Sequence, residues 1–269
     1  MGQIDSAAIH LRTRDRVKLI DALRALCQAE GLRPVLGEAR ERPPRGARRF
    51  LLLPPAGQWT TLVPEDAGRA RDLARDLSLA GEVPALAVLL VDDGFAFAYE
   101  AYDAKGKEVD AYHSCPDAEL PFGAPDVPDA ELDRTRGEPS KLSALGVSPE
   151  AIEKVAPVLA DARIERLADH DVSKGKYADA ERPLGIFNKA LGLGDALEEG
   201  FDALWDLGLE EEGEADLRYL VYAPPKEQQG LRGLWGRLRG KQEEQADEAE
   251  EDEEEPEDED EPLDEEDDD

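Results

Sequence analysis

His113, Ser114 and Cys115 stand consecutively, and a thiolate paired with an imidazole is a common attacking group. Residues two apart in a strand share a face, so His113 could touch Cys115, although a histidine and a cysteine at a strand end are more often packing residues. This pairing is the arrangement that points to hydrolysis, and no recognisable third, orienting residue accompanies it. Asp92 and Asp93, with Glu100 or Asp103, supply the oxygen donors that a hard cation takes. An Asp-Asp-Gly run after an apolar stretch is, however, already explained by turn chemistry. His10 and His170 are isolated and read as ordinary core or surface histidines. The glycine segments fail as phosphate loops: Leu191 to Gly194 lacks a following Lys-Ser/Thr pair, and Lys174 to Lys176 is a lone basic loop. No Gly-x-Ser-x-Gly elbow follows a strand. Carboxylates are so abundant that no single pair of them is informative. The sequence therefore assigns no catalytic, cofactor-binding or metal-ligating residues, and a non-enzymatic chain is expected.

A different chemistry stands out near the C-terminus. In residues 230–241, GLRGLWGRLRGK, Leu231, Leu234, Trp235 and Leu238 fall within about 100° of arc on a helical wheel, with Arg232, Arg237, Arg239 and Lys241 elsewhere. This is the pattern of a basic amphipathic helix. Its four glycines each cost about 1 kcal/mol of helix propensity, so folding on a partner is expected. The residues proposed for that contact are Leu231, Leu234, Trp235, Arg237, Leu238 and Arg239. The next 28 residues contain 21 acids and neither Lys nor Arg. Such a run repels itself and has almost nothing to bury, so a disordered acidic tail is expected. Tethering holds it at roughly millimolar effective concentration beside the basic segment, so it should mask that segment or bind a basic protein surface. Anionic membrane or nucleic acid would become accessible to residues 230–241 once the tail is displaced.

The elements that must carry these features follow from composition and period. The chain has 269 residues, 36% of them charged, and a net charge of -32. Since 21 of the 64 acids lie in residues 242–269, the 32 bases face 43 acids in residues 1–241. Residues 1–50 lean the other way, with 11 bases against six acids. No apolar run approaches the roughly 20 residues of a membrane span, and MGQIDSAAIHLRTRDR lacks an apolar signal core. A cytoplasmic location is expected. Cys27 and Cys115 are too few for a disulfide scaffold, and with three histidines they make no zinc set.

Residues 1–115 read as an α+β unit. A strand spans 4–12. A helix spans 15–30 with Val17, Ile20, Leu23 and Cys27 on one stripe, followed by a strand pair at 50–53 and 59–63. A second helix spans 64–80. The run at 86–91 has the pattern of a strand buried on both faces. Phe95, Phe97 and Tyr99 alternate with small residues and should share a face, and residues 107–113 complete a three-stranded meander. Residues 116–139, with five prolines, read as a connection. Residues 140–227 read as mainly helical: Ser148-Pro149-Glu150 opens a helix that Pro157 should kink or shorten. Further helices are expected at 183–191 and 195–207, and 217–222 as a late strand returning to the sheet. The fold class is thus α+β, a mainly antiparallel sheet with two packed helices, followed by a helical region, a basic segment at 228–241 and the tail at 242–269.

Residues 50–222 resemble a group of bacterial proteins of unassigned function. The resemblance rests on Trp59-Thr-Thr-Leu-Val-Pro64, on the Asp-ended strand and aromatic strand after it, and on a run carrying Gly106, Val109, Asp110, Tyr112, Ser114 and Pro116. Leu191-Gly192 and Tyr219-Leu220 are candidates for that group's later features. It implies a fold and transfers no activity. Two alternatives stand beside a cytoplasmic binding or regulatory protein: an immunity-type protein that neutralises a basic toxin such as a nuclease, and a hydrolase using Cys115 and His113.

Overall fold

The strand run Ala85–Val91 (ALAVLLV) sits near the middle of the molecule, and every one of its seven residues is buried. A strand can be apolar on both faces only if both faces are covered. In this computed structural model, which describes residues 4–35, 43–92, 94–120, 126–164, 180–194, 200–205 and 218–225, they are. The strands are β1 (Ile4–Leu11), β2 (Arg33–Pro34), β3 (Arg48–Leu52), β4 (Thr60–Pro64), β5 (Ala85–Val91), β6 (Ala96–Tyr102), β7 (Glu108–His113) and β8 (Arg218–Ala223). They form one antiparallel sheet in the order β2-β8-β3-β4-β1-β5-β6-β7. The helices include α1 (Arg16–Ala29), α2 (Ala70–Gly81), α3 (Asp129–Arg134), α4 (Pro149–Ala162) and α5 (Glu181–Leu191).

The alternation in β5 and β6 makes the two faces unequal. Ala85, Ala87, Ala96 and Ala98 pack with Ala70, Ala74 and Leu77 of α2 in one core, which also holds Leu19, Leu23 and Cys27 of α1. Small residues on both sides let a helix lie close to the sheet. The opposite core joins Leu86, Val88, Phe97, Tyr99 and Tyr112 to Val155 and Leu159 of α4 and to Leu184 and Phe187 of α5. The two expected helices thus cover one face, and the helical region covers the other.

The meander forms as its period-2 pattern predicts, with Leu90 opposite Phe97 and Tyr99 opposite Tyr112. The late strand returns to the N-terminal sheet: β8 lies between β2 and β3, with Arg48 opposite Tyr222. Met1–Pro224 consequently form one compact unit, and Pro225–Asp269 are a second. No described helix is long and apolar enough to cross a membrane.

Three local expectations are corrected. Val17 is 61% exposed; Asp15 caps α1 by accepting from the Lys18 backbone N–H, and the buried stripe is Leu19, Ala22, Leu23 and Cys27. Phe95 packs in the core opposite to Phe97 and Tyr99. Its backbone N–H closes a turn on the Asp92 carbonyl at 3.1 Å, so the alternation begins one residue later than the aromatic pattern suggests. Glu65 and Asp66 precede a 3-10 turn, Ala67–Arg69, and α2 starts only at Ala70. Pro157 does not end α4, which continues past it to Ala162.

Residues of the 59–64 and 106–116 motifs hold elements together. The Trp59 indole N–H donates to the Leu191 carbonyl at 3.1 Å, and the Tyr112 hydroxyl to the Leu159 carbonyl at 2.9 Å. Asp110 accepts from the Tyr99 hydroxyl at 2.7 Å and from the Glu138 backbone N–H. Gly137, at φ 75°, follows this edge so closely that a Cβ there would lie 3.0 Å from the Tyr112 ring, where only glycine fits without displacement.

Candidate functional site

Residues 116–139 do more than connect. Among the described residues of this stretch, Pro116–Glu119 form a 3-10 turn and Asp129–Arg134 form α3, and an isolated bridge from Arg136 to Tyr112 covers the free edge of β7. Burying an edge strand in this way removes its unpaired backbone groups from solvent. Arg163, the residue that ends α4, fixes the segment by donating to the carbonyls of His113, Thr135 and Leu132.

This folding encloses a pocket of about 250 Å³ whose wall includes Arg71, Glu100, His113, Glu119, Glu131 and Arg134. Arg71 reaches from α2 and donates through both terminal nitrogens to the Glu119 carboxylate, once at 2.9 Å. Its Nε lies 3.3 Å from Glu100. Arg134 donates to Glu131 at 2.8 and 2.9 Å and to Glu108 at 2.7 Å. Glu100 also accepts from the Tyr102 hydroxyl. Burial opposes ionisation of Glu119, yet the hydrogen bonds from His113 and Arg71 hold its carboxyl down at about 2.

The imidazole is fixed by its neighbours. The Cys115 backbone N–H donates to His113 Nδ1 at 3.1 Å, so Nδ1 is the acceptor and the ring proton sits on Nε2, which donates to Glu119 at 3.0 Å. Both ring nitrogens are therefore engaged. The Cys115 thiol is fully buried, and burial pushes it up to about 11. The alternative in which His113 takes a proton from Cys115 is disfavoured on both counts. A histidine with its acceptor nitrogen on a backbone N–H has no lone pair for the thiol, and a thiol shifted upward yields little thiolate. Glu119 stays ionised and Arg-bound, so it is a poor proton donor and a weak base.

The arrangement is a set of mutually neutralising charges that holds β6, β7, α2 and α3 together. Glu119→Gln keeps the shape but removes the charge that receives Arg71 and His113. A loss of about 1–3 kcal/mol is expected at pH 7. Since Glu119 is shifted below its ordinary value, its contribution is fully present above about pH 4.5 and disappears as pH falls toward 2. Urea melts of parent and variant should therefore differ at pH 7 and converge in strong acid, and equal stability at pH 7 would show the network to be decorative.

The other sequence candidates are dispersed. Asp92 adopts φ 58° in the turn after β5. Asp103 accepts from the backbone N–H groups of Lys105 and Lys107 at 2.9 and 3.0 Å and shapes the β6–β7 turn. Glu100 is committed to arginines, and Asp93 lies outside the described residues. Among the described residues no group of three His, Cys, Asp or Glu side chains is placed to hold a metal. His10 is wholly buried on β1, and His170 lies outside the described residues. So do Leu231, Leu234, Trp235, Arg237, Leu238, Arg239 and the acidic run at 242–269.

Arg71, Glu119, Glu131 and Arg134 were not legible as a group. The i,i+3 spacing of Glu131 and Arg134 is the one local signal, whereas Arg71 and Glu119 are 48 residues apart. A second concavity, about 520 Å³, lies between α1, α2 and the adjoining ends of β3 and β4. No family model, curated protein or solved structure matches the chain.

Proposed function

We propose that this chain is a non-enzymatic binding or regulatory protein of the cytoplasm, whose acidic tail contacts or masks basic surfaces. The observation that carries the reading is the segregation of charge: 21 acids and no Lys or Arg in residues 242–269. The internal pairing of the body supports it. Arg48 and Arg69 share Glu30, Arg49 is held by Glu65, and Arg71 and Arg134 are bound to glutamates of the β7 pocket. These arginines are already neutralised, which leaves the polyanion available to the basic segment beside it or to a basic protein. Charge of this density raises association rates and makes binding sensitive to salt.

An immunity-type protein directed at a basic toxin uses the same physics with a narrower partner. The hydrolase reading is disfavoured by the hydrogen bonds at His113 and the buried Cys115 thiol.

The test compares the full chain with a full-length version whose Asp and Glu residues in 242–269 are changed to Asn and Gln. Binding to a basic nuclease is expected to weaken at least about tenfold, with the difference shrinking as salt rises from about 50 to about 300 mM. A chain ending at residue 241 should melt within a few degrees of the parent, because the tail has almost nothing apolar to bury. Equal nuclease binding by the parent and the neutral-tail chain would retire the proposal.

A further inference from the structure

The cleft of about 520 Å³ between α1 and α2 has an apolar floor and a charged rim. Leu26, Phe50, Pro64 and Leu73 supply apolar wall, and its volume falls in the range of specific recognition sites. The cations at the rim are ion-paired with its glutamates. Glu30 binds both Arg48 and Arg69, and its carboxyl is lowered chiefly by the Arg48 hydrogen bond. Arg49 lies 2.6 Å from Glu65, with its guanidinium over the rings of Phe201 and Trp205 at 5.2 and 5.0 Å. On the α2 side stand Asp66, Asp72 and Asp76. Asp72 and Asp76 pair with Arg75, which is not part of the cleft wall, and their side chains are 70% and 45% exposed. The lining therefore carries five acids against three arginines, in a chain whose net charge is -32.

We infer that this cleft docks a basic, apolar-containing segment of the partner protein, with one or more apolar side chains on Leu26, Phe50 and Leu73 and flanking Lys or Arg beside Asp72 and Asp76. With Arg75 counted, five acids still face four arginines around the cleft, so an anion would meet an excess of carboxylate. A cation attached to an apolar body gains both from the acidic rim and from burial. Ala29 and Asp72 are exposed at the rim, so a segment still joined to a protein can enter. The inference rests on the proposed binding of basic surfaces and deepens it, with the tail attracting the partner and the cleft selecting among basic partners by shape. Two sites acting together also raise avidity beyond either alone.

The probe is a fluorescent amphipathic helical peptide of lysine and leucine. It is titrated against the full chain, Ala29→Trp, the double variant Asp72→Asn/Asp76→Asn, and the full-length neutral-tail chain. Ala29 is exposed in the last turn of α1, so tryptophan there fills the cleft without entering the core. The double variant keeps the side-chain size and serves if the first fails to fold. Each cleft variant is expected to bind the peptide about tenfold more weakly than the parent. Parental affinity in the cleft variants would overturn the inference. If only the neutral-tail chain lost binding, the tail reading would stand and the cleft would fall; loss in the cleft variants alone would keep the cleft and sink the tail. Displacement of the peptide by an equal concentration of free hexylamine would make the cleft a small-molecule site and overturn the inference. So would self-association of the parent that Ala29→Trp abolishes, because the occupant would then be a second copy.

Discussion

Replacing Phe97 by alanine is expected to destabilise the protein by about 3–5 kcal/mol, the cost of emptying a large aromatic site in a packed core. Phe97 is fully buried, with its ring 5.2 Å from Tyr112 and 6.1 Å from Phe187 of α5. Tyr99 stacks on Phe187 at 5.2 Å in the same cluster. The cavity would therefore open between sheet and helix, where three neighbouring rings cannot all close around it. Phe97→Leu leaves much of the volume filled and should cost less. Equilibrium denaturation with urea measures both. A loss below about 1 kcal/mol for the alanine variant would be inconsistent with the ring facing the α4–α5 layer.

The second expected result is a fall in stability on mild acidification that one residue controls. His10 lies on β1 between Thr61 of β4 and Leu86 of β5. Its Nδ1 is 2.9 Å from the Thr61 hydroxyl, and its Nε2 is buried without a hydrogen-bond partner. Burial lowers the imidazole from 6.5 to about 3, because a charged ring there would lose its hydration for nothing. The folded pKa lies below the unfolded one, so the unfolded chain binds the extra proton between these values. The contribution is fully present above about pH 6.5 and is lost progressively as pH falls toward 3.

Between pH 7 and pH 5 this residue alone should remove about 2 kcal/mol. Glu119 begins to add to the loss only below about pH 4.5. His10→Leu should flatten the dependence between pH 7 and 5 and leave the variant less acid-sensitive than the parent, as read from urea midpoints across that range. An unchanged slope in His10→Leu would assign the acid sensitivity to other groups.

Much of the fold is written locally. Asp15 before α1 and Ser148-Pro149 before α4 satisfy N-terminal backbone groups within a few residues. The alternation in β6 and the turns around Asp92 and Asp103 set the meander, because strand period and hairpin closure are short-range properties. The α1 stripe was misplaced for the same reason. Val17 fits a helical period, but a period specifies spacing and not the angle at which the helix meets the sheet, so Leu19 and Ala22 are buried and Val17 is not. Phe95 failed similarly, since the last residue of a turn and the first of a strand look alike until the turn hydrogen bond is placed.

The sequence by itself determined the composition-dependent features: an α+β fold class, a polyanionic run at 242–269 and a stretch before it in the chain that holds Arg232, Arg237, Arg239 and Lys241. Each depends on residues adjacent in the chain, where charge repulsion and backbone preference act directly. Only the tertiary structure decided that β8 enters between β2 and β3, that Arg71 meets Glu119 across 48 residues, and that His113 turns its nitrogens to Glu119 and a backbone N–H instead of to the thiol. These pairings are worth little until the chain has already lost the entropy of closing the intervening loops, so no local preference announces them. The cleft between α1 and α2 is further removed still: it is the space left where two helices and a sheet do not meet, and such a space belongs to their packing and to no residue in particular.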